Sequence, residues 1–420
     1  MRERFKWFQP RFILRRWLFQ IAGGIALISV ALAQILLIVF GREEWPETLR
    51  TLTLGFIPPP IRALIGLLVG TGLLIWGIYN FNKSLLEPLI SPRSLGEWVT
   101  HLQNNRQLRQ GIKVVAIGGG TGLPSALRAI KTETSNITAV VTVADDGGSS
   151  GRLRRDLGVQ PPGDLRRNIT ALAHDEDLMT QLFDFRFAAG DLDGHSFGNI
   201  FLAALVGLMG GMDEATQAAG RVLAIQGRVM PCTLDDVTLA ANMQHSQSGE
   251  QKRVEGESNI PQSGWNINQV FLEPANAQPL TEVITAILEA NLIIIGPGSL
   301  YTSLIPNLLV NGVCKAICQS SATTVYVSNI ATQPGETDGY SAVDHIQAIE
   351  DHVGKEIIDV MIVNNHFPIE NAGPNTIYVE APPSTHPIRQ QYRLIDDDLT
   401  DNERPWRHDP EKLRALLLRL

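Results

Sequence analysis

Two long apolar windows near the start of the chain interrupt an otherwise mixed pattern of hydrophobic and polar residues. Residues 17–41 form a stretch of 25 residues without a charge, and residues 63–82 form a second stretch of 20. As helices, both are long enough to cross ~30 Å of hydrocarbon. A cleavable signal peptide is the alternative for the first stretch, but its apolar region is long for such a peptide and no small-residue cleavage site precedes the second stretch. We therefore predict a membrane hairpin over residues 1–83.

Beyond a polar connector predicted at residues 84–110, short β-branched runs alternate with helical segments. The runs of strand length show little alternation of polar and apolar residues, which is typical of strands buried on both faces of a parallel sheet. These runs are residues 113–117, 137–143, 292–295, 324–329 and 359–363. Residues 111–420 therefore predict a doubly wound, mostly parallel α/β domain.

Segments whose apolar residues have helical spacing lie between these runs, and one region departs from this alternation of strands and helices. The predicted helices are residues 123–131, 165–174, 197–209, 214–225, 280–290, 299–310 and 342–352. Residues 228–274 predict a small antiparallel β excursion, with strands near 237–241 and 270–272 and a polar tract at 245–257. Residues 396–407 predict an exposed loop before a last helix.

Charge divides the chain at the same boundary as hydropathy. Residues 1–83 carry ten Lys and Arg against four Glu, which gives a net charge of +6. Because the net charge of the whole chain is −8, the remaining residues carry −14. Because basic residues flank the two windows while those between them are offset by Glu, both termini are expected on the cytoplasmic side of the plasma membrane. The acidic remainder argues against nucleic-acid binding. Three cysteines favour a reducing compartment.

Two glycine-rich turns follow predicted strands. The first is Gly118, Gly119, Gly120, Thr121 and Gly122, and the second contains Gly296, Gly298 and Ser299. Each leads into a helix, whose first N–H groups and positive dipole end favour a phosphate. The first turn is not a Walker A loop and departs from G-x-G-x-x-G in spacing, so a tight structural crossover without ligand is the alternative. Two such turns in one sheet suggest a diphosphate at the switch point of the strand order.

Other polar residues are predicted on the same rim of the sheet. Asp145 and Asp146 follow the second strand and precede a Gly/Ser run that ends at Arg152. This run is expected to be flexible and to fold over a ligand. The alternative is a helix cap with a solvent-facing loop. Asp164 after Gly163 is expected to cap the next helix. The remaining candidates are Arg166, Arg167, Asn199 and the tract 332–340, which includes Asp338. His195, His345 and His366 fit core or surface positions better than a metal site, and no Ser-His-Asp elbow is evident.

Several long blocks occur together and in a consistent order. They read GGGTGL, TVADDGGSSGRLR, PPGDLRRNI, HSFGNIFLAAL, VEGESNI, IIGPGSLYTSLIPNLLV and NIATQPGETDGYSAVDH. Over residues 111–420 the sequence resembles the YvcK-type gluconeogenesis factor family, a branch of the superfamily of the 2-phospho-L-lactate transferase CofD. The resemblance implies a Rossmann-like domain, binding of UDP-N-acetylglucosamine, and a role in carbon partitioning, gluconeogenic growth, the cell wall and cell shape.

Residue roles implied by the resemblance concern one pocket. It places residues 118–122 and 296–299 at the nucleotide diphosphate and Asp145 and Asp146 near the pocket floor. Tyr340, in GETDGY, and Arg407, in WRHDPEKL, are similar to family residues that contact a UDP-sugar. The N-terminal hairpin departs from the family pattern.

Three functions are compatible with these features. The first is a membrane-tethered UDP-sugar sensor that regulates metabolism. The second is a CofD-like transferase that moves a phospho-acyl group from a nucleotide diphosphate donor, with Asp145 or Asp146 holding Mg²⁺ or acting as base. The third, an NAD-dependent oxidoreductase, rests on the fold alone. We also expect a homodimer, which is common for such domains.

Overall fold

The computed structural model describes residues 14–39, 57–86, 107–174, 176–354, 357–368 and 376–420. The chain divides into two compact units, residues 1–102 and 103–420. Most of the connector predicted at residues 84–110 lies outside the described residues. The two units are therefore described separately.

The first unit contains two long apolar helices, α1 (Leu14–Val39) and α2 (Pro59–Leu86). Within the described residues, Trp17–Val39 and Pro59–Phe81 are long and apolar enough to span a membrane. These segments overlap the windows predicted from the sequence, whose residues 40 and 41 lie outside the described range. Glycines hold the helices close, since a Cβ atom at Gly24 would lie 2.9 Å from the Gly70 carbonyl oxygen.

The second unit is built on a seven-stranded parallel sheet in the order β10-β9-β8-β7-β1-β2-β3. Its strands are β1 (Val114–Gly118), β2 (Ile137–Val141), β3 (Arg228–Pro231), β7 (Leu292–Ile295), β8 (Thr323–Val327), β9 (Val360–Asn364) and β10 (Arg393–Asp397). The predicted Rossmann-like α/β fold is confirmed. All five predicted strands occur, and β1, β2, β7 and β9 are buried throughout because helices cover both faces of the sheet.

The two edge strands, β3 and β10, were not predicted from the sequence. β3 falls inside the region expected to be an antiparallel excursion, yet it pairs in parallel with β2. The loop predicted at residues 396–407 was wrong at its start, since Asp396 and Asp397 end β10. β10 carries charged residues at both ends, and β3 is only four residues long and ends in a proline, so neither has an apolar run of the length that predicted the central strands.

Helices surround the sheet, and a small second sheet lies beside it. The helices are α3 (Leu123–Ile130), α4 (Gly148–Leu157), α5 (Gly163–Ala171), α6 (Glu176–Asp184), α7 (Phe197–Met209), α8 (Met212–Val222), α9 (Asn259–Gln262), α10 (Thr281–Leu288), α11 (Ile305–Leu309), α12 (Val313–Gln319), α13 (Ala342–Val353), α14 (Ile388–Gln391) and α15 (Pro410–Leu417). The predicted helix at 299–310 is a π-helical turn, Leu300–Leu304, followed by α11. The β excursion is confirmed as β4 (Thr238–Gln244), β5 (Gln251–Glu255) and β6 (Asn266–Glu273), paired antiparallel.

The strand order reverses beside β1. From β1 the chain proceeds through β2 to β3 on one side, whereas β7 to β10 extend the sheet on the other. In doubly wound sheets, ligands bind in the crevice at the carboxyl ends of the strands where this reversal occurs. Both glycine turns lie there, because one follows β1 and the other follows β7.

Adding one methyl group at Gly24 is expected to separate the two helices of the first unit. The methyl group would approach backbone atoms of Gly70 and Leu74, both at 2.9 Å, whereas a methyl group at Gly23 meets nothing within 4 Å. A pair of cysteines introduced at Ala31 and Gly66 would report the packing of the two helices. Their Cβ atoms would lie 3.2 Å apart, close to the Cβ–Cβ separation in a disulfide. Oxidative cross-linking should decrease in Gly24→Ala and not in Gly23→Ala; equal yields would contradict this packing.

Candidate functional site

The two glycine turns contact each other at the switch point. A Cβ atom at Gly122 would lie 2.5 Å from the Pro297 carbonyl oxygen and 2.8 Å from the Gly298 Cα atom. The side chain of Asn329, which follows β8, holds the second turn. Its Oδ1 accepts from the Gly298 N–H at 3.1 Å and its Nδ2 donates to the Gly298 carbonyl at 2.9 Å. No side chain fits between the turns at Gly122, so bare backbone lines this part of the rim.

Asp164 reaches the first turn instead of capping its own helix. Pro162 is the N-cap of α5, so the predicted capping role is wrong. The Asp164 carboxylate accepts from the Gly120 N–H at 2.6 Å and from Arg167 Nη1 at 2.9 Å. Burial raises the pKa of Asp164, and the Arg167 charge opposes that shift. An anion at the turn must therefore use other N–H groups or displace this carboxylate.

Carboxylates gather on the side of the rim that follows β2. Asp145 accepts from the Gly147 N–H and Asp146 from the Ser258 N–H, both at 2.9 Å. Burial, and then the charges of Asp145, Asp164, Glu336 and Asp146, raise the pKa of Glu257 to about 8. At neutral pH, Glu257 can therefore both hold and release a proton.

Glu336 was not singled out from the sequence, although it lies within the candidate tract 332–340. Glu336 is 8% exposed, and burial raises its pKa to about 7. A hydrogen bond from Thr302 Oγ1 at 2.9 Å acts in the opposite direction and lowers the pKa. Acidic residues inside Gly- and Ser-rich loops were the available signal for Glu257 and Glu336. Only the fold brings them to one place, because they lie far apart in the chain.

The Gly/Ser run after Asp146 is helical in the structure, whereas the sequence predicted a loop. Residues 148–157 form α4, and Asn199 Nδ2 donates to Ser149 Oγ at 3.1 Å. Ser149 Oγ also lies 3.0 Å from His195 Nδ1, and all three side chains are buried. Arg152 donates to the Asp193 carbonyl at 2.8 Å. Asn199 and Arg152 thus support the fold of the rim, and closure of this segment over a ligand stays a prediction.

Three further candidates lie in the segment after β8 and near the carboxyl terminus. The Tyr340 hydroxyl lies 2.8 Å from that of Tyr301, with the rings edge to face. Asp338 is exposed and accepts from the Gly335 N–H at 2.6 Å, closing a turn. Arg407 and Trp406 lie on the wall of a cleft.

This cleft opens directly beside the glycine turns and has a volume of about 250 Å³. Its walls include Gly122, Ser299, Gln333, Trp406 and Arg407. Gln333 Nε2 donates to Ser299 Oγ at 2.7 Å, and the Trp406 indole is 43% exposed. Burial lowers the pKa of Arg407, as do the neighbouring charges of Arg404, Arg128 and Arg167. Backbone turns, an aromatic face and a guanidinium therefore border one space.

Comparison with known proteins identifies the group to which this architecture belongs. The family model described as 2-phospho-L-lactate transferase CofD matches residues 114–418. The gluconeogenesis factor of Bacillus subtilis (strain 168) is 42% identical over 320 residues, covering 73% of this chain and 98% of the relative. The chain belongs to the gluconeogenesis factor family, within the CofD family of domains.

Two further comparisons extend the family assignment. A family relative from Nostoc sp. (strain PCC 7120) is 41% identical over 429 residues, covering 99% of this chain and 92% of the relative. A crystal structure of a UPF0052 family protein from Bacillus halodurans has 43% identity and a TM-score of 0.68, covering 74% of this chain and 99% of that chain. The resemblance read from the sequence blocks is confirmed.

The family domain's carboxylates do not form a preassembled metal site. In the part of the chain that the structure describes, no group of three or more His, Cys, Asp or Glu side chains is arranged to hold a metal ion. Mg²⁺, however, is commonly held by one or two carboxylates together with phosphate oxygens of a substrate. Asp145 and Asp146 fit that partial role and no more.

Gly122→Ala tests the contact between the turns. The new methyl group would collide with the backbone of residues 297 and 298, so we expect a loss of about 1–3 kcal/mol in the free energy of unfolding, as for overpacked cores. Gly207→Ala on α7 is the control, because its methyl group meets nothing within 4 Å. Urea unfolding of both variants measures the difference; equal stabilities would exclude the close contact.

The raised pKa of Glu257 predicts a pH dependence of stability. Between the ordinary value of 4.5 and the folded value of about 8, the folded state binds more protons than the unfolded state, so stability decreases as pH rises through this window. Glu257→Gln should therefore gain stability over the parent chain between pH 5 and 8 by ~0.5 kcal/mol or more. Glu282→Gln, on the exposed face of α10, is the control. Parallel pH profiles for Glu257→Gln and the parent chain would refute the prediction.

Proposed function

We propose that the second unit binds a nucleotide diphosphate sugar of the UDP-N-acetylglucosamine class in the crevice at the glycine turns. The observation that carries this proposal is the contact of Gly122 with the backbone of Pro297 and Gly298 at the switch point. This arrangement leaves a stretch of bare backbone at the position where doubly wound sheets bind nucleotides. A diphosphate needs such close approach of backbone N–H groups.

The neighbouring cleft supports the same ligand class. Arg407 is half-buried there, and its planar guanidinium can donate to two phosphate oxygens at once. The exposed indole of Trp406 offers a flat surface on which a nucleobase can stack. A ligand with both an anionic and an aromatic part uses both features.

We further propose that the protein acts as a regulator rather than as an enzyme. The name gluconeogenesis factor, which relatives carry, supports a role in gluconeogenic growth. A role in carbon partitioning, with effects on the cell wall and cell shape, is what the resemblance of the sequence blocks implies. The two apolar helices would tether it to the plasma membrane as a multi-pass anchor, and the charge pattern favours a cytoplasmic second unit. The expected homodimer stays a prediction.

A CofD-like transferase is the second candidate, favoured by the family model and by the carboxylates at the rim. Asp145 and Asp146 would hold Mg²⁺ on the donor diphosphate, and Glu257 would accept or donate a proton. Such an enzyme consumes a nucleotide-activated donor only with a divalent metal, and Asp145→Asn should abolish turnover. Ligand binding without turnover, with and without Mg²⁺, favours the regulator.

Paired calorimetric titrations of the full chain in detergent with UDP-N-acetylglucosamine and with NAD separate the nucleotide-sugar proposal from an oxidoreductase. We expect saturable heat with the UDP-sugar and weaker or no heat with NAD. No heat and no thermal shift with the UDP-sugar at millimolar concentration would contradict the proposal. Tighter binding of NAD would favour the oxidoreductase that the fold alone suggests.

Arg407→Ala and Tyr340→Ala should each weaken UDP-N-acetylglucosamine binding by ~1–3 kcal/mol, the range for losing a buried polar or charged contact. Arg407 would lose its phosphate contact. Tyr340 does not line the cleft; its assignment to the site comes from the family resemblance, and its replacement would remove the hydroxyl and ring that pack against Tyr301. Arg393→Ala on β10 is the control, because this exposed arginine lies on neither wall of the cleft. The same titrations measure all three; unchanged affinity in both site variants would remove them from the pocket.

A further inference from the structure

A second cavity lies on the other side of Arg407 from the cleft. Its volume is about 530 Å³, and it is bordered by α3, α5, α6 and the segment from Asp401 to Pro410. Thr121, Ser125, Arg407 and His408 line both spaces. The nucleotide-sugar proposal uses Arg407 of this wall but leaves the rest of the larger cavity, which adjoins the first glycine turn, without a ligand.

Four arginines line the cavity, and most of its carboxylates are already engaged. Glu176 pairs with both Arg128 and Lys131. Asp184 pairs with Arg166, a buried side chain behind the wall. These carboxylates therefore do not neutralise the remaining cations of the wall.

The other two acidic wall residues, Asp177 and Asp401, have no ion-pair partner within the described ranges. Asp401 Oδ1 accepts from the backbone N–H groups of Glu403 and Arg404, at 3.0 and 2.7 Å. Asp177 is exposed to solvent. Arg167 is paired, but with Asp164, which lies outside the cavity wall at the glycine turn.

Two guanidinium groups are left over. Within the described ranges, neither Arg404 nor Arg407 has a side-chain hydrogen bond or ion pair. Arg407 is half-buried, and burial and the charges of Arg404, Arg128 and Arg167 lower its pKa, whereas the charge of Asp401 opposes that shift. The Thr180 hydroxyl on the same wall is buried and has no hydrogen-bond partner among those residues. Converging cations and an unsatisfied donor at one cavity are the complement of an anion.

We propose that this cavity is a second ligand site, which binds the phosphate group of a small phosphorylated molecule beside the nucleotide sugar. Arg404 presents a planar fork to two phosphate oxygens and Thr180 donates to a third, while Arg407, on the wall shared with the cleft, lies between this phosphate and the diphosphate of the nucleotide sugar. A phosphate monoester supplies the acceptor oxygens that the Arg404 guanidinium and the Thr180 hydroxyl lack in the described structure. The volume of the cavity leaves room for the organic part of the molecule.

Titration of the full chain in detergent with inorganic phosphate, followed by ³¹P NMR, tests the site without any nucleotide. Arg404→Gln should weaken phosphate binding about tenfold, the loss of one charge-assisted hydrogen-bonding partner. Arg404→Lys, which keeps the charge but not the fork, should fall between Arg404→Gln and the parent chain. Arg404 is exposed, so neither change should prevent folding, and Arg393→Gln on β10 is the matched control.

Three outcomes would overturn the inference. One is no saturable phosphate binding at millimolar concentration, and another is equal weakening by Arg404→Gln and Arg393→Gln. The third is strict competition between phosphate and UDP-N-acetylglucosamine, in which the apparent Kd for phosphate rises without limit as the UDP-sugar concentration is increased. The cavity would then be the diphosphate site of the nucleotide itself. An apparent phosphate Kd that levels off at high UDP-sugar concentration demonstrates that both ligands bind the chain at the same time. Because the phosphate titration needs no nucleotide, it stands even where UDP-sugar binding fails.

Discussion

The absence of a Cβ atom at Gly122 allows the two halves of the parallel sheet to meet through backbone alone. The turn after β1 packs against Pro297 and Gly298 of the turn after β7, where the strand order reverses. Side chains from other elements then fix each turn: Asp164 holds Gly120, and Asn329 holds Gly298. The position of every proposed ligand group follows from this contact.

Charge is distributed unevenly around the two turns. On the side of β2, burial and mutual repulsion of carboxylates raise the pKa of Glu257, whereas burial and neighbouring arginines lower that of Arg407. The Asp164–Arg167 pair joins the two groups. Like charges held together by a fold are unfavourable without a partner, so an anion on the arginine side would relieve repulsion that the folded chain otherwise retains. The same reasoning supports the nucleotide sugar and the second phosphate site.

The sequence predicted the features that depend on local pattern. Continuous apolar runs predicted the central strands because burial on both faces leaves no polar positions, and glycine runs predicted the two turns. Features that depend on distant partners were not predictable. Nothing local to Glu257 reveals the four other carboxylates around it, and nothing local to Asp164 reveals that its partner is the Gly120 N–H. The arginine cluster likewise unites α3, α5 and the carboxyl-terminal segment, and only the tertiary fold brings these together.

An experimental structure of the full chain with UDP-N-acetylglucosamine tests the central claim most directly. The account predicts that the diphosphate lies against the backbone of residues 119–122 and 296–299, within hydrogen-bonding distance of Arg407. A nucleotide sugar bound elsewhere on the second unit, with these turns unoccupied, would contradict it.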